Sequence, residues 1–194
     1  MRKRILLLGS TGSIGQNTLE VLAGLQDRCE VVGLAAGSQW EALAQQVRYW
    51  RPRAVAISDA RNADPLRAAV GGETSVLAGP DALVELVETV ACDCVVAAVV
   101  GAAGLPATLR AVELGRQIAL ANKETLVVAG ALIAPLARRT GAKLVPIDSE
   151  HSAIFQAMQA GRRSELKRVF LTASGGPFRT WRRERIAAAT LEEA

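Results

Sequence analysis

The sequence predicts an α/β chain: a Rossmann-like doubly wound parallel sheet, followed by the beginning of a second α/β domain. Three observations carry this. Short aliphatic runs alternate with helical patterns along most of the chain. The runs are nearly continuous in Val, Ile, Leu and Ala, as strands covered by helices on both faces must be. A glycine-rich turn, Gly9-Ser10-Thr11-Gly12-Ser13-Ile14-Gly15, ends the first run and opens the first helical pattern.

Residues 4–8 are aliphatic and stop at Gly9, which makes a strand. Residues 13–25 place Ile14, Thr18, Leu19, Val21, Leu22 and Leu25 at helical spacing. The same alternation gives strands at 31–36, 54–58, 94–100, 117–121 and 143–147, with a short extra strand at 75–77. Helices are expected at 40–50, 64–70, 80–90, 105–114 and 124–139. Pro65 is tolerated in a first turn, and Asp81 suits the positive end of a helix dipole. Beyond these, 152–158 and 181–189 read as helices and 169–172 as a strand. Crossovers between parallel strands are right-handed, and ligands sit at the carboxyl ends of the strands.

Ala and Val thin out after about Ile147, while Arg, Ser and Glu rise. The expected division is therefore one domain over 1–147 and the start of another over 148–194. The second stops without a capping glycine or a closing strand, as a truncated domain would.

With 194 residues, 50% hydrophobic and 22% charged, the chain has enough aliphatic surface to offset its chain entropy. No apolar run approaches the ~20 residues of a membrane span. Met1-Arg2-Lys3-Arg4 leads into four aliphatic residues and then glycine, which is no signal peptide, so a cytoplasmic location is expected. The net charge of +4 is mild. Its one dense cluster, Arg179, Arg182, Arg183 and Arg185, is broken by Glu184 and argues against nucleic acid. Three cysteines without a secretion signal do not make a disulfide framework. Cys92 and Cys94 share a strand face and read as small buried hydrophobes. A single histidine excludes a His-rich zinc site.

The glycine turn follows a strand and opens a helix in a βαβ unit, the setting in which such a pattern binds a dinucleotide pyrophosphate. Thr11 and Ser13 add hydroxyl donors. NAD sites carry an acid near the end of the second strand. Here Ala36 is followed by Gly37, Ser38 and Gln39, with no carboxylate to repel a 2′-phosphate. NADP is therefore preferred. The small residues Val99-Val100-Gly101-Ala102-Ala103-Gly104 either let a dinucleotide lie close or simply pack.

Asn122-Lys123-Glu124 ends the strand at 117–121. Lys123 there suits a phosphate or a polarised oxygen. The alternative is a helix start, with Asn122 as cap and Glu124 on the dipole. Asp148 and Glu150 are hard oxygen donors two apart, which on extended chain share a side and suit Mg²⁺ or Mn²⁺. Helix capping is the other reading of Asp148-Ser149. Ser174-Gly175-Gly176 exposes amides and a hydroxyl to a phosphate or substrate oxygen, or is an ordinary loop.

Together these segments resemble the 1-deoxy-D-xylulose 5-phosphate reductoisomerase family. The stretches that carry the resemblance are Leu8-Gly9-Ser10-Thr11-Gly12-Ser13-Ile14-Gly15, Val99-Val100-Gly101-Ala102-Ala103-Gly104-Leu105, Ala121-Asn122-Lys123-Glu124-Thr125-Leu126, the run from Pro146 through Asp148-Ser149-Glu150-His151-Ser152 to Gln156, and Thr172-Ala173-Ser174-Gly175-Gly176-Pro177-Phe178-Arg179. They span essentially the whole chain.

The resemblance implies a two-stage reaction. The carbon skeleton of 1-deoxy-D-xylulose 5-phosphate is rearranged, and the resulting aldehyde is reduced by NADPH. The product is 2-C-methyl-D-erythritol 4-phosphate, an isoprenoid precursor. It implies Thr11, Gly12, Ser13 and Ile14 on the pyrophosphate side of NADPH, and Gly37, Ser38 and Gln39 around the 2′-phosphate. The family usually has Lys and Asn where Ser38 and Gln39 stand. Asn122 and Glu124 would lie toward the nicotinamide half. Lys123, Ser149, Glu150 and Ser174 would contact the substrate, with Lys123 and Glu150 catalytic. Asp148 and Glu150 would ligate Mg²⁺, Mn²⁺ or Co²⁺. Residues 1–147 would be the NADPH-binding domain and 148–194 the start of the catalytic domain.

The family continues with a His-Pro-x-Trp-x-Met-Gly flap, another metal-binding Glu, an Asn-Lys pair and a helical domain. The complete enzyme is a homodimer by the same resemblance. The expectation is an amino-terminal portion, competent for cofactor and weak or inactive in turnover. The competing reading is an NADPH-binding module without turnover.

Overall fold

The computed structural model describes residues 1–172 and 176–193. Its contacts divide the chain into two compact units, Met1–Asp148 and Ser149–Ala194.

The first unit is one seven-stranded sheet: β1 (Lys3–Leu8), β2 (Cys29–Ala36), β3 (Ala54–Ile57), β4 (Ser75–Ala78), β5 (Cys94–Ala97), β6 (Gln117–Leu120) and β7 (Lys143–Pro146). Every pairing is parallel, and the spatial order is β4-β3-β2-β1-β5-β6-β7. The six connecting helices are α1 (Ser13–Ala23), α2 (Trp40–Trp50), α3 (Ala63–Val70), α4 (Ala82–Thr89), α5 (Leu105–Glu113) and α6 (Glu124–Thr140). The expected α/β sheet is thus formed, and residues 75–78 are a full strand at its edge.

Period-two alternation along β1 builds two cores. Ile5 and Leu7 point to one face, where Leu19 and Leu22 of α1, Leu43 and Val47 of α2 and Leu66 of α3 close over them. Leu6 and Leu8 point to the other, against Leu83, Leu86 and Val87 of α4, Ala111 and Val112 of α5 and Ile133 of α6. Leu6, Leu7 and Leu8 are all fully buried, which is why the run contains no polar residue. Each buried leucine contributes about 1.5–3 kcal/mol of transfer free energy.

Chain order runs outward from β1 to β4, then returns to β5 on the far side of β1. The order of strands therefore reverses between β1 and β5. A crevice opens there at the carboxyl ends of the strands, where sheets of this kind take their ligands.

The described part of the second unit is helical. It holds α7 (Ser149–Ala157), three short 3-10 turns and α8 (Arg183–Ile186). The strand expected at 169–172 is not formed. Val169, Phe170 and Leu171 are exposed at 46%, 76% and 58%. No strand of that unit, among the described residues, offers them a hydrogen-bonding edge. The helix expected at 181–189 shortens to α8. Helix α7 starts three residues earlier than expected, with Glu150 in its first turn where the dipole favours an anion.

Candidate functional site

The glycine turn sits on the β1 side of the crevice. Gly9 has φ +84°, and a Cβ there would meet the Ala98 carbonyl oxygen at 2.6 Å. A Cβ on Gly15 would strike the Gly9 carbonyl oxygen. These two glycines let the turn close against β5 and let α1 pack onto it. Gly12 differs: the nearest atom to a Cβ is the Gly9 oxygen, at an ordinary 3.5 Å. Its side of the turn is open. Gly12 is also the N-cap of α1, and no side chain caps that helix. The first amides of α1 thus remain available to an anion.

Two glutamines brace the turn. The Gln16 Nε2 donates to the Thr11 carbonyl at 2.8 Å, and the Gln46 Nε2 donates to the Ser10 carbonyl at 2.9 Å. Thr11 is buried, whereas Ser13 and Ile14 are exposed.

Across the crevice stand the ends of β5 and β6. Ile14, Ala98, Val99, Val100, Asn122, Lys123 and Glu124 line a common cleft of about 170 Å³. Asn122 is 6% exposed, and its Nδ2 donates to the carbonyls of Val99 (2.5 Å) and Gly101 (2.7 Å). Its Oδ1 has no partner among the described residues. The capping reading of Asn122 therefore fails. Lys123 occupies the N-cap of α6, no side chain caps that helix, and the Asn122 amide is spent on two carbonyls. Glu124 does occupy the first turn of α6. Lys123 and Glu124 are exposed.

Gly37, Ser38 and Gln39 leave the end of β2, all exposed, and Gln39 is the N-cap of α2. Two contacts from the loop after β3 hold this turn. The Asp59 amide donates to the Gly37 carbonyl at 3.0 Å, and the Asn62 Nδ2 donates to the Ser38 carbonyl at 2.9 Å. The Trp40 amide also donates to the Ser38 carbonyl, at 2.9 Å. Asp59 is gripped by Arg61, whose guanidinium holds that carboxyl below the usual carboxylate range. Sequence reasoning missed Asp59, Arg61 and Asn62. The signal was present, because Ser58-Asp59-Ala60-Arg61-Asn62 is a polar run at a strand's carboxyl end.

Asp148 is half-buried just after β7, at the last position of the first unit. Glu150 stands on helical backbone in α7, so the argument from extended chain does not apply to this pair. Ser149 and Glu150 share a cleft of about 220 Å³ within the second unit, with Ala153, Ile154, Leu171 and Thr172. Ser174 lies outside the described residues. Cys92 and Cys94 are buried, and burial pushes both thiols up. No helix among the described residues is long and apolar enough to cross a membrane.

A parallel sheet with an open-sided glycine turn at its switch point defines a fold of the dinucleotide-binding class. A family model for 1-deoxy-D-xylulose 5-phosphate reductoisomerase matches residues 5–130, and one for that enzyme's C-terminal domain matches 144–194. The chain belongs to the 1-deoxy-D-xylulose 5-phosphate reductoisomerase family.

The relative from a Nostoc species is 46% identical over 100% of this chain and 49% of its own length. The Zymomonas mobilis enzyme, solved in complex with NADPH, superposes with a TM-score of 0.85 at 39% identity, covering 100% of this chain and 51% of that one. Another reductoisomerase, solved with NADPH, fosmidomycin and magnesium, gives 0.82 at 37% identity, over 99% of this chain and 50% of that one. The chain spans about half the length of the curated relatives it matches.

Proposed function

We propose that this chain binds NADPH and supplies cofactor, metal and substrate groups for the conversion of 1-deoxy-D-xylulose 5-phosphate to 2-C-methyl-D-erythritol 4-phosphate. The observation that carries the reading is the crevice itself. The glycine turn and the Asn122-Lys123-Glu124 run face each other at the switch point.

The residues present fit a dinucleotide. The uncapped α1 terminus and the open side of Gly12 receive the pyrophosphate beside Thr11, Ser13 and Ile14. The unpartnered Asn122 Oδ1 and the Glu124 carboxylate are acceptors toward the nicotinamide half. Gly37, Ser38 and Gln39 surround the 2′-phosphate. When bound, the nicotinamide supplies the hydride and the protein supplies its orientation. Lys123, on an exposed N-cap, holds a substrate oxygen or phosphate.

Asp148 and Glu150 are hard oxygen donors for Mg²⁺, Mn²⁺ or Co²⁺. Among the described residues no three acidic, His or Cys groups gather, so the ion would take further ligands from substrate, water or elsewhere. A divalent ion supplies Lewis-acid polarisation and a template for the substrate's oxygens. Ser149, Glu150 and Ser174 contact the substrate, Lys123 and Glu150 as catalytic groups. The cellular setting is the cytoplasm, and the complete enzyme is a homodimer.

The narrower reading is NADPH binding without turnover. Titration with NADPH and NADH, followed by tryptophan quenching, tests the cofactor. Trp40 adjoins the Ser38 turn and is a built-in reporter. NADPH oxidation in the presence of substrate and Mg²⁺ separates the two readings. Steady-state turnover removes the narrower one, and saturable NADPH binding without turnover supports it.

A further inference from the structure

Basic groups are scarce on the carboxyl edge of this sheet. The loops after β1 to β5, residues 9–12, 37–39, 58–62, 79–81 and 98–104, hold one basic residue, Arg61, against the acids Asp59 and Asp81. Arg61 is not placed at random. β2 and β3 are parallel neighbours that end in register at Ala36 and Ile57, so their two loops leave the sheet side by side. The Asp59 amide and the Asn62 side chain then lace the Arg61 loop to the Gly37 and Ser38 carbonyls.

Within that loop the geometry is fixed. The Asp59 carboxylate accepts from the Arg61 amide at 3.1 Å, from Nε at 2.9 Å and from Nη2 at 2.8 Å. A guanidinium has five N–H donors. Nη1 and one Nη2 proton therefore remain, on a side chain that is 90% exposed.

We propose that Arg61 is the cation that selects the 2′-phosphate of NADPH over the 2′-hydroxyl of NADH; this rests on the cofactor reading above. A phosphate that approaches Gly37, Ser38 and Gln39 meets only neutral donors on that turn. Asp59 stands beside the turn and would repel a dianion if it were alone. The ion pair offsets that repulsion and leaves a planar donor fork exposed on the loop that is laced to this turn, the kind of group that recognises phosphate best. Asp59 is thus a positioning residue for Arg61, and Asn62 fixes the loop to the turn.

The test is titration of wild type, Arg61→Gln and Arg61→Lys with NADPH and with NADH, at low and at raised salt. Loss of one charge-assisted contact is expected to raise the NADPH Kd about 10- to 30-fold in Arg61→Gln, with NADH within about 2-fold. Arg61→Lys keeps part of the preference, because it keeps the charge and loses the fork. The salt dependence of NADPH binding flattens in Arg61→Gln. An exposed side chain is replaced, so circular dichroism melts should coincide. Equal weakening of both cofactors, or no change in either, overturns the role of Arg61. Failure of the wild-type chain to prefer NADPH overturns both this role and the cofactor reading.

Discussion

The Asn122 side chain donates to the Gly101 carbonyl at 2.7 Å, and so the end of β6 holds the turn that follows β5. The same amide reaches the Val99 carbonyl. One buried side chain thereby shapes a wall of the cleft at the switch point and leaves its own Oδ1 without a partner among the described residues. Asn122→Asp places an acceptor against two carbonyls. We expect a loss of about 1–3 kcal/mol in urea unfolding, larger than for Asn122→Ala. An Asn122→Asp variant as stable as wild type would show that these bonds do not hold the turn.

The three glycines of the first turn make a sharper test, because they do different things. Gly15→Ala forces a methyl into the Gly9 carbonyl, and Gly9→Ala combines a positive φ with a 2.6 Å approach to Ala98. Both should lower the melting temperature, with costs of about 1–3 kcal/mol or more. Gly12→Ala meets nothing closer than 3.5 Å. It should fold normally and, on the proposed cofactor site, lose NADPH affinity, since the methyl would occupy the side assigned to the pyrophosphate. Thermal melts beside cofactor titrations check this. Equal destabilisation by all three would remove the distinction.

Much of the fold was legible in the sequence because the central strands β1, β2, β3 and β5 are buried on both faces over most of their length, and such strands cannot hide polar residues among their apolar ones. Leu6, Leu7 and Leu8 announced both cores at once. The second unit was less legible. Val169, Phe170 and Leu171 have strand-like side chains, but pairing needs an edge, and an edge is a property of the partner strand. In the site, motifs at the ends of β1, β2, β5, β6 and β7 were read, and the loop after β3 was passed over. Asp59, Arg61 and Asn62 carry no motif of their own. Their relation to Gly37 and Ser38 arises only when parallel pairing brings two loops together.

The cysteines should behave as core residues. Cys92 is 7% exposed and Cys94 5%, and burial raises both thiols. The Cys92 sulfur also accepts from the Arg116 Nη1 at 2.9 Å. Cys29 is half-buried at the start of β2. Alkylation of the native chain at neutral pH is expected to modify Cys29 first, with Cys92 and Cys94 reacting only on unfolding. Mass spectrometry of the timed reaction checks it. Early labelling of Cys94 would mean that β5 opens far more readily than its burial implies.

Acid should weaken a clasp at the amino ends of β1 and β5, in the middle of the sheet. Asp93 precedes β5 and binds the start of β1. Its carboxylate accepts from the Arg4 Nη2 at 2.7 Å, from the Arg4 Nε at 3.1 Å and from the Arg4 amide at 2.8 Å. These bonds, the guanidinium's first, bring the carboxyl from 3.8 down to about 2. Because the folded value lies below the unfolded one, the carboxylate form stabilises the fold. That contribution is complete above about pH 4, the unfolded value, and fades as pH falls toward 2. Both side chains are more than a third exposed, so solvent screening reduces the full linkage value to about 1 kcal/mol. Asp93→Asn should therefore be less stable than wild type at pH 6, and the gap should close between pH 4 and 2. Urea midpoints for both proteins across that range measure it. A gap that stays constant down to pH 2 would mean that the charge of Asp93 contributes nothing to the clasp.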